Sequence, residues 1–368
     1  MISISREILF HDKLRLFITV ASLAFAIVMI VYNMGMFFGT VGESVSLIDH
    51  AAADLWLIEE GYSAISDPSV VPGGAVRWAR RAPGVKQACR LSLSGGGLQV
   101  SGNHPVMIVV IEPGCAMIQP WDIRSGDASS LGRKDTIALD DYILRSDPAR
   151  VGDLVELNGR ELQIIAITHN NKSFTTPFVY VSRQTWIALG GAADISTFVV
   201  ARLKPGADLP AASAYLKDSH PDLDVFTAEE LRQGSMMALI SAGLGAIFIV
   251  VAVGVVVGLL IITMTIYTAT MEQLRDFAIL KAIGATRRKI VGIVIEQSIG
   301  ETALGFALGL ACSLGLNLLI EQAVGLRGFF PLAAILGAFG VMLALAVLGS
   351  LISVRKAINV DPMVVFRS

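Results

Sequence analysis

The chain has 368 residues, of which 54% are hydrophobic and only 16% are charged, and its formal net charge is −2. Soluble domains carry roughly 25% charged residues, and the mean hydropathy here is +0.64, so the composition indicates a membrane protein. The sequence holds no basic run of the kind that contacts nucleic-acid phosphates. We therefore expect a lipid bilayer, and no nucleic acid, among its partners.

The N-terminal segment 1–15 is predicted to be a cytoplasmic amphipathic helix. Ile4, Ile8 and Leu9 recur at helical spacing, with polar residues between them. This pattern is typical of a helix that lies in the interface of the inner leaflet. The alternative is an extension of the first membrane span.

Four apolar stretches are long enough to cross a bilayer as helices, which takes about 20 residues. The predicted spans are 16–38, 237–266, 290–320 and 331–353. The first is longer than the apolar core of a signal peptide, which has about 7–15 residues. We therefore interpret it as a retained anchor.

Lysine and arginine set the orientation, because cytoplasmic loops next to membrane spans are enriched in them. The short loop 321–330 holds only Arg327. The other basic residues that flank the spans are Arg6, Lys13, Arg15, Arg275, Lys281, Arg287, Arg288, Lys289, Arg355, Lys356 and Arg367. Both termini, the loop 267–289 and the tail 354–368 are therefore predicted to be cytoplasmic, with 39–236 and 321–330 outside.

The outside segment 39–236 is predicted to be a mixed α+β domain. A helix is expected over 73–81, before Pro83-Gly84, and the apolar run 106–111 is typical of a buried strand. Asn158-Gly159 separates two alternating runs within 152–167. Because both central residues of a type I′ turn need positive φ, this pattern predicts a β-hairpin.

Two further helices have recognisable starts. Ser182 is a candidate N-cap for a helix that continues to Leu189. Thr227 and Glu230 form a capping box, which would start a helix that leads toward the second span. Such a helix could carry motion between the outside domain and the membrane.

The three cysteines do not predict a metal site, because none has zinc-ligand spacing. Cys312 lies in an apolar run and is interpreted as a small core residue. Cys89 and Cys115 both fall in the outside domain and can form a disulfide if that compartment is oxidising, but their spacing leaves the pairing open.

No Gly-x-Ser-x-Gly motif occurs. We predict neither catalytic nor metal-binding residues, although a triad of distant residues stays open.

The loop after the second span carries the most specific motif. The stretch 271–290 resembles the corresponding loop of the MacB/FtsX-like permease superfamily of ABC transporters. Ala278–Ala285 matches closely, whereas Asp276 stands near the usual glutamate of the family with a different spacing.

Other stretches carry the same resemblance over nearly the whole chain. Asp12–Thr19 looks like the entry to the first span, 152–167 like the periplasmic-core hairpin and Val360–Met363 like the C-terminal tail. Ala53–Ile58 is similar to the DevC branch, whose members pair with a separate ATPase and a membrane-fusion protein.

The resemblance implies a four-helix membrane bundle with an α+β extracytoplasmic domain of MacB-like periplasmic-core type, in the bacterial cytoplasmic (inner) membrane. It also implies an ABC ATPase, a membrane-fusion (periplasmic adaptor) protein and a second copy of the chain as partners. The sequence has no Gly-x-x-x-x-Gly-Lys-Ser/Thr loop. We therefore expect no cofactor in this chain, and ATP and Mg in the partner ATPase.

The loop is predicted to contact the ATPase as a coupling helix. Apolar side chains at i, i+3 and i+4 would enter a groove on the partner, and Gly284 would end the helix as a left-handed cap. The alternative is an interfacial helix that packs only on lipid. The predicted coupling residues are Arg275, Asp276, Phe277, Ala278, Ile279, Leu280, Lys281, Ile283, Gly284 and Ala285.

Small residues at four-residue spacing occur in two spans. Gly254 and Gly258 lie in the second, and Gly305, Gly309 and Ser313 lie in the third. Such spacing lets helices approach closely. The two interpretations are a homodimer seam, which the resemblance implies, and packing within one protomer.

The function expected from these features is that of a permease subunit in a separate-subunit ABC export system, which passes ATP-driven motion to the outside domain by mechanotransmission. One alternative is an FtsX-like regulator of a cell-wall hydrolase, or a lipoprotein-release permease. Another, of a different class, is a membrane-anchored enzyme or sensor without an ATPase. The substrate is not readable from the sequence.

Overall fold

The computed structural model describes residues 13–174, 176–241, 245–272 and 285–358. The chain divides into two compact units, a helical unit of residues 1–39 and 245–368 and an α/β unit of residues 40–244. The first helix, α1 (Lys13–Ser44), runs without a break past the division between them. The predicted amphipathic segment lies almost wholly outside the described residues.

The α/β unit contains a large mixed sheet. Its strands and those of a small second sheet are β1 (Leu55–Glu59), β2 (Val71–Pro72), β3 (Val85–Gln99), β4 (Asn103–Ile111), β5 (Ile123–Gly126), β6 (Thr136–Asp140), β7 (Leu154–Leu157), β8 (Arg160–Thr168), β9 (Lys172–Ser173), β10 (Thr176–Ser182), β11 (Ile195–Ser196), β12 (Phe198–Leu203) and β13 (Leu223–Thr227). Within the described residues the main order is β13-β1-β12-β3-β4-β10-β6-β8-β5, with β7 beside β3 and β8, β9 beside β10, and β2 paired with β11. The pairs β4–β10 and β6–β8 are parallel, which makes the sheet mixed.

Short helices cover this sheet. They are α2 (Ser46–His50), α3 (Ala75–Arg81), α4 (Asp141–Leu144), α5 (Arg183–Ala188), α6 (Leu209–Ser219) and α7 (Ala228–Leu239). One core cluster contains Trp56, Tyr180, Phe198 and Leu231, all fully buried. Apolar burial of this extent is the main stabilising contribution to such a domain.

Local sequence signals in this unit are confirmed. The run 106–111 lies in the buried strand β4. Asn158 and Gly159 have φ angles of 46° and 83°, and they join β7 to β8 as an antiparallel hairpin. The helix expected over 73–81 is α3.

Both predicted helix caps are also confirmed. The Ser182 side chain accepts a hydrogen bond from the Thr185 backbone N–H at the start of α5. At the start of α7, Thr227 and Glu230 make both hydrogen bonds of the capping box.

Cys89 and Cys115 form a disulfide, with their Cα atoms 6.0 Å apart. It joins β3 to the turn after β4, and both residues are buried. Disulfides persist in oxidising compartments, so the bond fits a domain outside the cytoplasm. Cys312, by contrast, is exposed on the surface of its helix. The core interpretation of Cys312 was wrong because the outer surface of a membrane helix is as apolar as its packed side.

The helical unit contains α1 and three later helices, α8 (Gly245–Glu272), α9 (Arg287–Val324) and α10 (Leu332–Ile358). Its core includes Leu23, Ile27, Phe306, Met342 and Ala346. Large apolar side chains also lie exposed on all four helices. Such surfaces suit lipid, which solvates apolar side chains but not free backbone groups.

Within the described residues, three helices have the length and apolarity of a membrane span: Leu16–Ser44, Arg288–Ala323 and Leu332–Leu351. The predicted second span, 237–266, is divided between the end of α7 and the start of α8. Its described apolar stretch is the shorter Ala252–Thr265. The count of four spans is therefore not confirmed. The predicted start at Met237 lies in α7, which is capped within the α/β unit.

Candidate functional site

The structure reaches only the edge of the predicted coupling loop. Ala285 is half-buried and lies just before α9. The other predicted coupling residues lie outside the described residues; they are Arg275, Asp276, Phe277, Ala278, Ile279, Leu280, Lys281, Ile283 and Gly284. Their role in coupling stays a prediction.

Small residues let α8 and α9 approach α1 within the helical unit. A Cβ atom at Gly305 would lie 2.7 Å from the Leu23 Cβ, and one at Gly309 would lie 2.6 Å from the Ile27 Cγ2. A Cβ atom at Gly254 would lie 3.3 Å from the Asn33 Nδ2. The absence of a side chain is what allows this approach.

Two other residues of the same small-residue pattern lie in α8 and α9. Ser313 is buried, and its hydroxyl donates to the Gly309 carbonyl oxygen over 2.8 Å. Gly258 lies in α8, and its surroundings are outside what the structure describes. The described glycines thus face helices of the same chain, while the homodimer seam stays a prediction.

The α/β unit shows a second candidate site, where the end of α1 meets the sheet. The Lys172 Nζ lies 2.9 Å from the Glu43 Oε1, and only 4% and 18% of the two side chains are exposed. The Ser46 hydroxyl donates to the Lys172 carbonyl oxygen over 2.8 Å. Lys172 therefore holds both α1 and α2 against the sheet. Separation of such a buried pair would leave an uncompensated charge.

The helix α7 is attached to the same region by different contacts. The Ser235 hydroxyl accepts from the Ile65 backbone N–H over 2.9 Å. A Cβ atom at Gly234 would overlap the Ser63 carbonyl group, so the glycine lets the helix approach the loop after β1. The Arg232 Nε donates to the Asp49 Oδ1 over 3.0 Å. We call the contacts of α1, α2 and α7 with one another, with the sheet and with the loop after β1 the junction.

A buried polar network fixes the strand segment that carries Lys172. Asp140 is 1% exposed and accepts from the backbone N–H groups of Asn171, over 2.7 Å, and Tyr142, over 3.0 Å, and from the Thr168 hydroxyl. Burial, which disfavours the charged form, raises the pKa of Asp140 to about 6. The Tyr180 hydroxyl donates to the Asn171 Oδ1 over 2.8 Å.

Burial, and then the nearby charge of Asp140, raise the pKa of Tyr180 well above its ordinary value. The phenol is therefore a hydrogen-bond donor and not an anion. Asn171 also donates to the Trp121 carbonyl oxygen over 2.8 Å. Because Asn171 is held by Asp140, Trp121 and Tyr180, the neighbouring Lys172 has a fixed position.

The sequence did not point to this site. An acid at the end of an apolar span, such as Glu43, is a weak signal for a partner. Lys172 follows Asn171 in a polar turn, and a cation there reads as exposed. The partners are far apart in the chain: Ser46 and Lys172 are separated by 126 positions.

Comparison with known proteins settles the family. Residues 16–219 match the MacB-like periplasmic core domain, and residues 238–362 match the FtsX-like permease C-terminal domain. The first match alone spans more than half of the chain. The chain belongs to the MacB/FtsX-like family of ABC transporter permeases.

Relatives with similar sequences are themselves ABC transporter permeases. The permease is 23% identical over 369 residues to one from Mycobacterium tuberculosis strain H37Rv, with 96% of each chain covered. It is 22% identical over 229 residues to YknZ of Bacillus subtilis strain 168, which covers 59% of this chain and 57% of YknZ. The permease is therefore a membrane protein with a MacB-like periplasmic core domain. The similarity to the DevC branch stays a prediction.

Two solved structures have detectable similarity to part of this chain. The periplasmic region of MacB from Actinobacillus actinomycetemcomitans aligns with a TM-score of 0.38 at 13% identity, over 50% of this chain and 94% of that one. The extracellular domain of the ABC-type transporter YknZ aligns with a TM-score of 0.36 at 13% identity, over 47% and 98%.

Proposed function

We propose that this permease is the membrane subunit of an ABC export system in the bacterial inner membrane, with both termini in the cytoplasm. A separate ATPase chain binds ATP and Mg and drives a dimer of the permease. The permease transmits the motion to its α/β unit, which acts with a membrane-fusion protein on the outside. Its role is mechanical: the permease provides a structural element that switches between two positions, and ATP hydrolysis takes place in the partner chain.

The buried Lys172–Glu43 pair is the observation that carries this proposal. Glu43 lies at the end of α1, whose apolar stretch Leu16–Ser44 is long enough to span a membrane. A displacement of α1 along its axis acts directly on the carboxylate. Since the paired lysine is fixed by the Asp140 network, the force reaches the sheet without a flexible connection.

The helix α7, which is attached near the end of α1, supports the same proposal. It leads toward α8, and its start is fixed by the capping box of Thr227 and Glu230. Leu231 is fully buried, so the helix cannot shift without disturbing the core. Two helices that lead toward the membrane are thus anchored in one sheet.

Affinity purification of the tagged full-length permease from its native membrane, followed by mass spectrometry, tests this function. We expect recovery of an ABC ATPase together with a membrane-fusion protein. Recovery of an ATPase without a membrane-fusion protein would contradict the proposed role of that adaptor. It would favour a hydrolase regulator or a lipoprotein-release permease. Recovery of the permease alone, with other membrane complexes intact, would contradict the proposal and favour an anchored enzyme or sensor.

A further inference from the structure

A cavity of about 90 Å³ lies beside the junction, within the α/β unit. Ser44 at the end of α1, Ser235 and Leu239 on α7, and Met107 and Phe178 on the sheet contribute to its lining. The cavity is therefore bounded by both helices that the proposed function uses and by the sheet to which they are attached.

Met107 and Phe178 form a row of two side chains on adjacent strands that lines the cavity, and a glycine on a third strand lies beside this row. Met107 on β4 lies opposite Gly95 on β3 and beside Phe178 on β10. A Cβ atom at Gly95 would meet no atom within 4 Å. The row therefore ends in open space, and Leu93, two residues before Gly95 on the same face, lines the cavity there.

The polar groups of the lining are hydroxyls. Ser44 and Ser235 donate to backbone carbonyl oxygens, over 2.8 Å and 2.6 Å. Ser66 and Ser173 also line the cavity, and across the described part of the chain their hydroxyls make no hydrogen bond to protein. None of the lining residues is ionisable. Few placed polar groups on apolar walls are typical of ligand sites.

The size of the cavity limits what it can hold. An engineered cavity of about 150 Å³ holds benzene, so this smaller one admits only the end of an aliphatic chain or a branched aliphatic group. The rest of such a molecule must lie outside the cavity. The lining offers no charge to pair with a charged ligand, which disfavours an ionised group inside.

We infer that this cavity binds the aliphatic end of an amphipathic molecule and that Ser66 and Ser173 bond an uncharged polar group next to it. Because the lining includes Ser44 and Leu239, an occupant contacts the same helices that carry motion. Only one part of this inference rests on the proposed function, namely that the bound molecule is the cargo of the export system. Binding itself is measurable without ATP or an ATPase.

Photolabelling of the full-length permease in phosphatidylcholine nanodiscs tests the inference. The probe is a twelve-carbon alcohol with a terminal diazirine, and the labelled positions are read by mass spectrometry of peptides. We expect labelling at Leu93, Met107 and Leu239, with competition by unlabelled 1-dodecanol. Met107→Trp fills the cavity and should reduce labelling at the other two positions at least tenfold.

The matched control is Leu154→Trp, at an apolar side chain that is 63% exposed on β7, and labelling of the cavity should be unchanged in it. Retention of full labelling in Met107→Trp would overturn the inference. So would labelling of the wild type that is no stronger at the cavity than at Leu154.

A milder variant keeps the test decisive if Met107→Trp does not fold. Ser66→Ala combined with Ser173→Ala removes two hydroxyls without adding volume. We expect 1-dodecanol to compete about three- to tenfold more weakly, as for the loss of one or two hydrogen bonds. An unchanged competition curve in this variant would overturn the inference. Normal transport by the coupling variant Lys172→Met, with labelling intact, would instead contradict the proposed function.

Discussion

Individual buried charges define the junction more sharply than any other feature of this permease. Lys172 and Asp140 are almost fully buried, yet each has partners that satisfy it. Burial of a charge is costly unless it is paired or hydrogen-bonded. Lys172 is paired with Glu43, whereas Asp140 depends mainly on backbone donors, and burial raises its pKa to about 6.

The raised pKa of Asp140 gives the permease a specific dependence on pH. Between about pH 4 and 6 the folded protein holds a proton that the unfolded chain has released, so the free energy of unfolding rises as pH falls through 6. The free energy of unfolding rises by about 3 kcal/mol at most, because the pKa of Asp140 goes from 3.8 to about 6 and each pKa unit corresponds to about 1.4 kcal/mol. Asp140→Asn should remove this gain, as measured by melting temperatures at pH 7.5 and 5.

The other strongly shifted carboxylate does not interfere with this measurement. Backbone donors at Gly102 and Ser101, together with His104, lower the pKa of Asp147. Its contribution to stability is therefore present above about pH 4 and is lost only at lower pH. Asp218→Asn, at an exposed position on α6, is the control. An equal pH response in wild type and Asp140→Asn would contradict the assignment.

At the scale of elements, the buried ion pair of Lys172 and Glu43 is one of the described contacts between α1 and the sheet. Lys172→Met removes the buried cation beside Glu43, and we expect the free energy of unfolding to fall by about 3 kcal/mol. ATP-dependent transport should fall as well. The double variant Glu43→Leu with Lys172→Met should recover most of the stability, because apolar pairs often replace buried ion pairs without loss. Thermal unfolding and transport assays measure both quantities.

A more exposed pair in the same junction serves as the comparison. Arg232 and Asp49 have side chains that are 34% and 40% exposed. Solvent screens such pairs, so Arg232→Met should cost about 1 kcal/mol or less. Equal effects of Arg232→Met and Lys172→Met would show that burial of the Lys172 pair has no special role.

The packing of α9 on α1 can be tested by one matched pair of substitutions. Gly309→Leu places a side chain against Ile27, where no space exists, whereas a Cβ atom at Gly315 on the same helix would meet nothing within 4 Å. We expect Gly309→Leu to lower the free energy of unfolding by about 1–3 kcal/mol. Gly315→Leu should be close to neutral, as judged by melting temperature in detergent.

If both variants melted alike, close packing of α1 and α9 within one chain would be contradicted. If instead Gly315→Leu alone impaired dimer formation in cross-linking experiments, the seam between protomers would lie on the face of α9 that carries Gly315, about 120° around the helix from Gly309.

At the scale of the whole molecule, coupling requires a contact on the cytoplasmic side as well as the junction. Leu280 belongs to the loop that matches the family motif, and Leu280→Asp places a charge among the predicted apolar anchors. Transport and transport-stimulated ATPase activity should be lost, while insertion in the membrane and the Cys89–Cys115 disulfide are kept. Normal transport by this variant would refute the coupling role of the loop.

The sequence by itself determined the features that depend on near neighbours. The hairpin at Asn158-Gly159, the Ser182 cap and the Thr227–Glu230 capping box each involve residues at most three positions apart, and their geometry follows from backbone sterics and local hydrogen bonds. The apolar stretches similarly predicted long helices, and the loop motif predicted the family. Exact span limits did not follow, because apolar residues continue into α7, which is capped in the α/β unit.

Only the tertiary structure decided which distant residues meet. The sheet order brings β9 and the end of α1 together, and so places Lys172 on Glu43; it also brings β3 and the turn after β4 close enough for the disulfide. The cavity likewise depends on the alignment of Gly95, Met107 and Phe178 in neighbouring strands. Pairing between strands far apart in sequence is set by the packing of the whole sheet, and no local pattern encodes it.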